Sequence, residues 1–220
     1  MATPMRVPMT MALSAALGAC GGAPERVAAG AAPVPVADPN VADVADWRRL
    51  ATAADRERLR NWRQTWLGAT GAVRGGDAAA LAAEDGLFQP DRALADAVPP
   101  PGRYRCRVFK LGARTAGAPA LVTYPRFDCR VDVRGAEVGF AKIGGSQRPA
   151  GTIFRDGPAR AVFLGTMVLG DETAALPYGR DANRDMAGFV ERIGERRWRI
   201  VLPEPRFESR LDVIDLVPAD

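Results

Sequence analysis

The chain has 220 residues, 30 Lys and Arg against 26 Asp and Glu, and no histidine. The absence of histidine excludes Ser-His-Asp and Cys-His catalysis, His-ligated metal sites and the commonest proton carrier at neutral pH. The net charge of +4 comes from arginines interleaved with acids, only Lys110 and Lys142 being lysine, which reads as a solvated mixed-charge surface, and no nucleic-acid partner is expected.

The N-terminus carries Arg6 and then a run of apolar and small residues from Val7 to Ala19. This run is too short to cross a hydrocarbon core of about 30 Å as a helix, and its length suits the apolar region of a secretory signal. Leu17-Gly18-Ala19-Cys20 resembles the bacterial lipobox. That resemblance implies diacylglycerol on the Cys20 sulfur, cleavage before it and acylation of the new amino group, a set of chains that anchors stably. The alternative is an ordinary cleaved signal with an incidental cysteine. Gly21, rather than Asp, after the cysteine favours the outer over the inner membrane. The expected organisation is a lipoprotein signal peptide over 1–19, a flexible Pro- and Ala-rich tether over 20–40, a helical segment over 41–98 and a β-barrel-like domain over 99–220, with the protein lipid-anchored in the periplasm.

From Asp46 to Gly76 the pattern predicts a helix, with Leu59, Trp62, Trp66 and Val73 on one stripe, Thr52 and Asp55 at its cap and Gly75-Gly76 at its end. A second short helix is expected over 77–84. A loop rich in Pro and Asp then ends at Pro99-Pro100-Pro101.

After Gly102 the period becomes two. In "RYRCRV" Tyr104, Cys106 and Val108 share a face; in "FDCRVDVR" Phe127, Cys129, Val131 and Val133 do. Cys106 and Cys129 therefore point inward and are expected to pair in an oxidising compartment if the two strands are antiparallel neighbours, the alternative being two reduced buried thiols. The bond would close a loop of about two dozen residues and stabilise by roughly 3 kcal/mol. Further strands are predicted over 137–143, 151–154, 160–169, 186–193, 197–202 and 211–217, the hairpin in "MAGFVERIGERRWRIVL" turning at Gly194-Glu195. The fold class is thus mainly β: eight antiparallel strands in a lipocalin-like barrel or a strongly curved sheet, preceded by helices.

No strong catalytic motif appears, and no cofactor is expected. "DANRD" opens like a calcium loop, but Met186 stands where glycine is needed and Arg192 where the bidentate Glu belongs, so no metal site is assigned. Glu204, Glu208, Asp171 and Glu172 are the candidates for paired-carboxylate chemistry, with no spacing that brings two into one cleft. The candidate binding residues lie on two polar loops: Lys142, Ser146, Gln147 and Arg148 in "KIGGSQRPAG", and Tyr178, Arg180 and Arg184 in "LPYGRDANR".

Two resemblances add to this reading. Gly102-Arg103-Tyr104 with Arg210 resembles a reduced calycin barrel closure, which implies that Tyr104 plugs one barrel end and Arg210 packs across it; small periplasmic barrel inhibitors are similar in plan. "DWRRLATAADRERLRNWRQTW", "YRCRVFKLG", "KIGGSQRPAGTIF", "FLGTMVLGDE" and "RRWRIVLPEPRFESRLDVIDLVPA" resemble DUF4893, an uncharacterised family of bacterial exported proteins. That family implies a shared domain and carries over no catalytic residue. The expected function is a binding module for a small lipophilic or glycan ligand, or an inhibitor of a periplasmic enzyme. The alternatives are a structural or envelope-assembly partner acting through its surface, and a His-free carboxylate enzyme.

Overall fold

The computed structural model describes residues 46–220. The segments expected as signal peptide, lipobox with Cys20 and tether lie outside the described residues. Eight strands follow one another as an antiparallel meander: β1 Gly102–Ala113, β2 Leu121–Arg134, β3 Glu137–Lys142, β4 Gln147–Arg155, β5 Ala161–Leu169, β6 Asp185–Gly194, β7 Arg197–Pro203 and β8 Ser209–Pro218. The sheet closes into a barrel because β1 pairs with β8 as well as β2, in a ladder from Tyr104↔Pro218 to Ala113↔Ser209. Closure leaves no unpaired edge. Strong curvature is built in where Gly151 faces Gly165: a Cβ on Gly151 would lie 2.2 Å from the Leu164 carbonyl oxygen, and one on Gly165 2.4 Å from both the Ala150 oxygen and the Phe163 ring.

The meander sorts the connections into two sets. The β1–β2, β3–β4, β5–β6 and β7–β8 loops share one end, here the open end; the chain entry at Gly102 and the C-terminus share the other, the floor. Inside, Tyr104, Cys106, Cys129, Val131, Phe140, Phe163, Trp198, Ile200 and Leu216 pack as one apolar core. Cys106 and Cys129 form a disulfide within it, with their Cα atoms 5.8 Å apart.

The helical preface is α1 Trp47–Leu50, α2 Ala53–Arg60, α3 Trp62–Ala72 and α4 Gly75–Ala82, in place of one helix over 46–76. Local capping breaks it. Ala51 is extended, Thr52 accepts from the Asp55 N–H to start α2, and Asn61 separates α2 from α3. Gly75, at φ +58°, opens α4 rather than ending α3. The tryptophan stripe packs on the outer wall: Trp66, Ala69 and Val73 against Phe109, Leu111, Val201, Leu211 and Val213, and Trp47, Leu59 and Trp62 against Phe154, Val162, Leu164 and Phe189. Trp62 sits edge-on to Trp66 and to Phe189, with centroids 6.3 and 5.7 Å apart.

Candidate functional site

The two ends of the barrel interior differ. At the floor, Tyr104 meets Trp198 edge-on at 6.2 Å and donates to the Pro100 carbonyl at 2.6 Å, while Trp198 Nε1 donates to Asp96 O at 3.2 Å. Burial pushes the Tyr104 hydroxyl pKa up to about 12, so it remains a neutral donor. Arg210 is not part of this plug. In an antiparallel β1–β8 pair the start of β8 lies beside the end of β1, so Arg210 is at the open end, more than half exposed and 3.7 Å from Glu204. The closure implied by the calycin resemblance therefore reduces to Tyr104, with Trp198 as its partner.

Towards the open end the packing gives way to a cavity of about 200 Å³, lined by Val108, Tyr124, Phe127, Pro149, Met167 and Ile214 on apolar surfaces and by Lys110, Lys142, Gln147, Glu208 and Asp212 on polar ones. Both lysines of the chain stand here. Lys110 continues the inward alternation of Tyr104, Cys106 and Val108, and Asp212 that of Ile214 and Leu216, so closing the barrel brings them face to face. Lys110 Nζ lies 3.1 Å from Asp212 Oδ2 and 3.3 Å from Glu208 Oε2. Burial pulls the Lys110 pKa down, but the two carboxylates outweigh it and hold it raised. Burial also raises Asp212, against the pull of Lys110 and of the Ser209 hydroxyl that donates to it.

Lys142 is held differently. Its ammonium donates to the Gly144 carbonyl and, at 3.0 Å, to that of Gln147, and it sits 3.7 Å from the Phe127 ring centroid. Gly145, at φ +82°, makes this approach possible: a Cβ there would stand 2.9 Å from Nζ and 3.1 Å from the ring. Burial, then Arg148 and Lys110, depress the Lys142 pKa to about 8. Gln147 Nε2 donates to Glu208 Oε1 at 3.3 Å, while its own Oε1 is buried with no partner. At typical net values, such an orphaned acceptor costs about 1–3 kcal/mol until something donates to it.

Of the residues singled out in the sequence, Lys142, Ser146 and Gln147 line this cavity. Arg148 points outside and ties loops together, donating to the Gly145, Gly170 and Glu172 carbonyls at 2.7 Å each. The glycine-rich loop is shorter than expected, because Gln147 and Arg148 already pair with Leu169 and Val168 in the sheet. Tyr178 belongs to the outer wall: its hydroxyl donates to the fully buried Asp55 at 2.5 Å and accepts from the Thr52 N–H at 3.0 Å, which fixes the start of α2. Its pKa is raised, by burial first and then by Asp55. Arg184 pairs with Glu172 at 2.5 Å and Asp181 at 3.4 Å. Arg180 is exposed outside the cavity. Lys110, Tyr124, Phe127, Glu208 and Asp212 are among the cavity residues that the sequence did not point to as a binding site.

Among the carboxylates, Glu204 is taken by Arg114 at 2.6 Å, and Asp171 is exposed. Among the described residues no group of three His, Cys, Asp or Glu is placed to hold a metal ion. No curated protein and no solved structure matches the chain. The profile described as Domain of unknown function (DUF4893) matches residues 47–216, from the first helix to the last strand. The helical preface and the barrel thus form one family unit, and the chain belongs to DUF4893.

Proposed function

We propose that the protein is an exported binding module that holds one small ligand in the open end of its barrel and is tethered to the outer membrane through lipid on Cys20. The observation that carries this reading is the cavity itself. The barrel interior is filled at the floor and empty at the other end, where apolar walls face two lysines, two carboxylates and an unpaired Gln147 oxygen. A few convergent polar groups in an otherwise apolar concavity are what a small-molecule site requires. A cavity of about 200 Å³ with one open end suits a small ligand, such as a short lipophilic acid or a single sugar. The Cys106–Cys129 bond supports the exported setting, because such bonds persist in oxidising compartments.

The test is native mass spectrometry of the protein purified from its own host, set against the denatured mass of the same sample. A small mass lost on denaturation supports the reading, and equal masses count against it. Loss of the protein from the membrane fraction on Cys20→Ala tests the anchor; persistence there rejects it. A second reading, a carboxylate enzyme, draws on Glu208 and Asp212 meeting at one lysine. Both carboxylates are engaged by the one Lys110 ammonium, an arrangement that suits charge-paired binding.

A further inference from the structure

Glu208 is the least settled group at the cavity. Its side chain is 53% exposed, and it reaches over the mouth to two partners, Lys110 Nζ at 3.3 Å and Gln147 Nε2 at 3.3 Å. Its backbone sits in the left-handed region at φ +66°, a conformation that non-glycine residues adopt only where the surroundings enforce it and that clusters at functional sites. Two anchors enforce it here: the Arg114 N–H donates to the Glu208 carbonyl at 3.0 Å, and β8 begins at the next residue. The carboxylate is thus presented from the rim into a site whose two lysines and Asp212 are buried.

The charges identify what this carboxylate resembles. Lys110 and Lys142 face Glu208 and Asp212, so the lining is balanced while Glu208 points in. Asp212 is buried and held by Lys110 and Ser209, so it stays. Lys142 has no carboxylate partner among the described residues; two carbonyls and an aromatic face hold it. If Glu208 swings out, one buried positive charge is left over, next to the amide of Gln147 and above the apolar surfaces of Phe127, Met167 and Ile214.

We infer that the cavity takes a small monocarboxylate with an apolar body, and that Glu208 is its built-in substitute, occupying the carboxylate position until the ligand displaces it. This deepens the small-ligand reading and rests on it. A cation would meet Lys142 with no free carboxylate to offset it. A dianion would need two unpaired cations where the site frees one.

The experiment compares three probes of one shape, phenylacetate, phenethylammonium and 2-phenylethanol, binding to the full chain and to Glu208→Gln by calorimetry and by NMR shifts of cavity residues. Phenylacetate is expected to bind, and about fivefold or more tightly to Glu208→Gln, because its internal competitor has lost its charge; the other two probes are expected to be weaker in both proteins. Glu208→Gln is half exposed and keeps an amide beside Gln147, so it should fold, which its melting curve checks. Removing Lys110 and Asp212 together, as Lys110→Met with Asp212→Leu, avoids a stranded buried charge and is expected to abolish phenylacetate binding. Equal affinity of phenylacetate for both proteins, or preference for the neutral or cationic probe, overturns the carboxylate assignment and leaves the cavity reading standing. Silence of all three probes together with equal native and denatured masses overturns both.

Discussion

The barrel has a covered wall and a bare wall, and the two are built from different sequence. On β5, under the helices, every residue from Ala161 to Val168 is buried, because one face meets the barrel core and the other meets α1 and α2. On β2, which no helix covers, Cys129 and Val131 are buried while Asp128 and Arg130 between and beside them are exposed. Charges follow the same division. Outward charges under the cover are buried and fully engaged: Arg199 pairs with Glu191 at 2.6 Å and donates to the Leu87 and Gln89 carbonyls. On the bare wall Arg105–Asp128 and Arg130–Asp132 are exposed pairs at 2.7 Å, a kind that adds about 0–1 kcal/mol each. The helices thus hold one wall from outside, and the disulfide between β1 and β2 holds the other from inside.

The largest effect is expected from breaking the cover. Trp66→Ala removes a ring that is 1% exposed and should lower stability by about 3–5 kcal/mol in urea unfolding followed by circular dichroism; a loss under 1 kcal/mol would mean that the helices are not part of the cooperative unit. Cys106→Ser should cost roughly 3 kcal/mol and leave Cys129 reactive to thiol reagents only after unfolding. Identical melting of the oxidised and reduced wild type would remove the disulfide from the bare wall's support. Arg130→Ala, on the outward face of β2 and in an exposed pair with Asp132, should change stability by less than about 1 kcal/mol, and a larger loss would show that something covers that wall.

A further measurement concerns the cavity between the walls. The chain has two lysines, so isotope-labelled dimethylation gives one NMR signal for each, apart from the N-terminus. Lys142 shares the cavity with Lys110, Glu208 and Asp212, and the outward Arg148 adds a nearby positive charge. Its signal is expected to titrate near pH 8, and that of Lys110 above the ordinary lysine value of 10.5. Because the folded-state pKa of Lys142 is depressed, the unfolded chain binds more protons between about 8 and 10.5, so this residue's contribution to stability rises with pH across that window. Coincident titration of both lysines would contradict the asymmetry of the site.

What was legible follows from the same contrast. β1 and β2 show alternation, so the inward cysteines were readable; extending the face Tyr104-Cys106-Val108 by one step reaches Lys110. In β8 both faces are covered, and Asp212 and Asp215 are buried on opposite sides, so no period told which carboxylate faced the cavity. Tyr178 could not be placed, because its bond to Asp55 spans 123 residues and lies outside any local pattern. The helix break at Asn61 was hidden by a stripe that continues across it from Leu59 to Trp62, since packing on a curved wall preserves the stripe while bending the chain. Tyr104 and Arg210 were separated by register alone, which only the closed topology reveals.

The sulfurs of Cys106 and Cys129 belong to residues 0 and 2% exposed, inside a closed barrel. A reductant or an oxidase of protein size cannot touch them while the ladder between β1 and β8 is intact. The bond must therefore be made before closure is complete, and it is unmade only when the barrel opens. Its rate of reduction by a reductant of protein size is accordingly a clock for barrel opening.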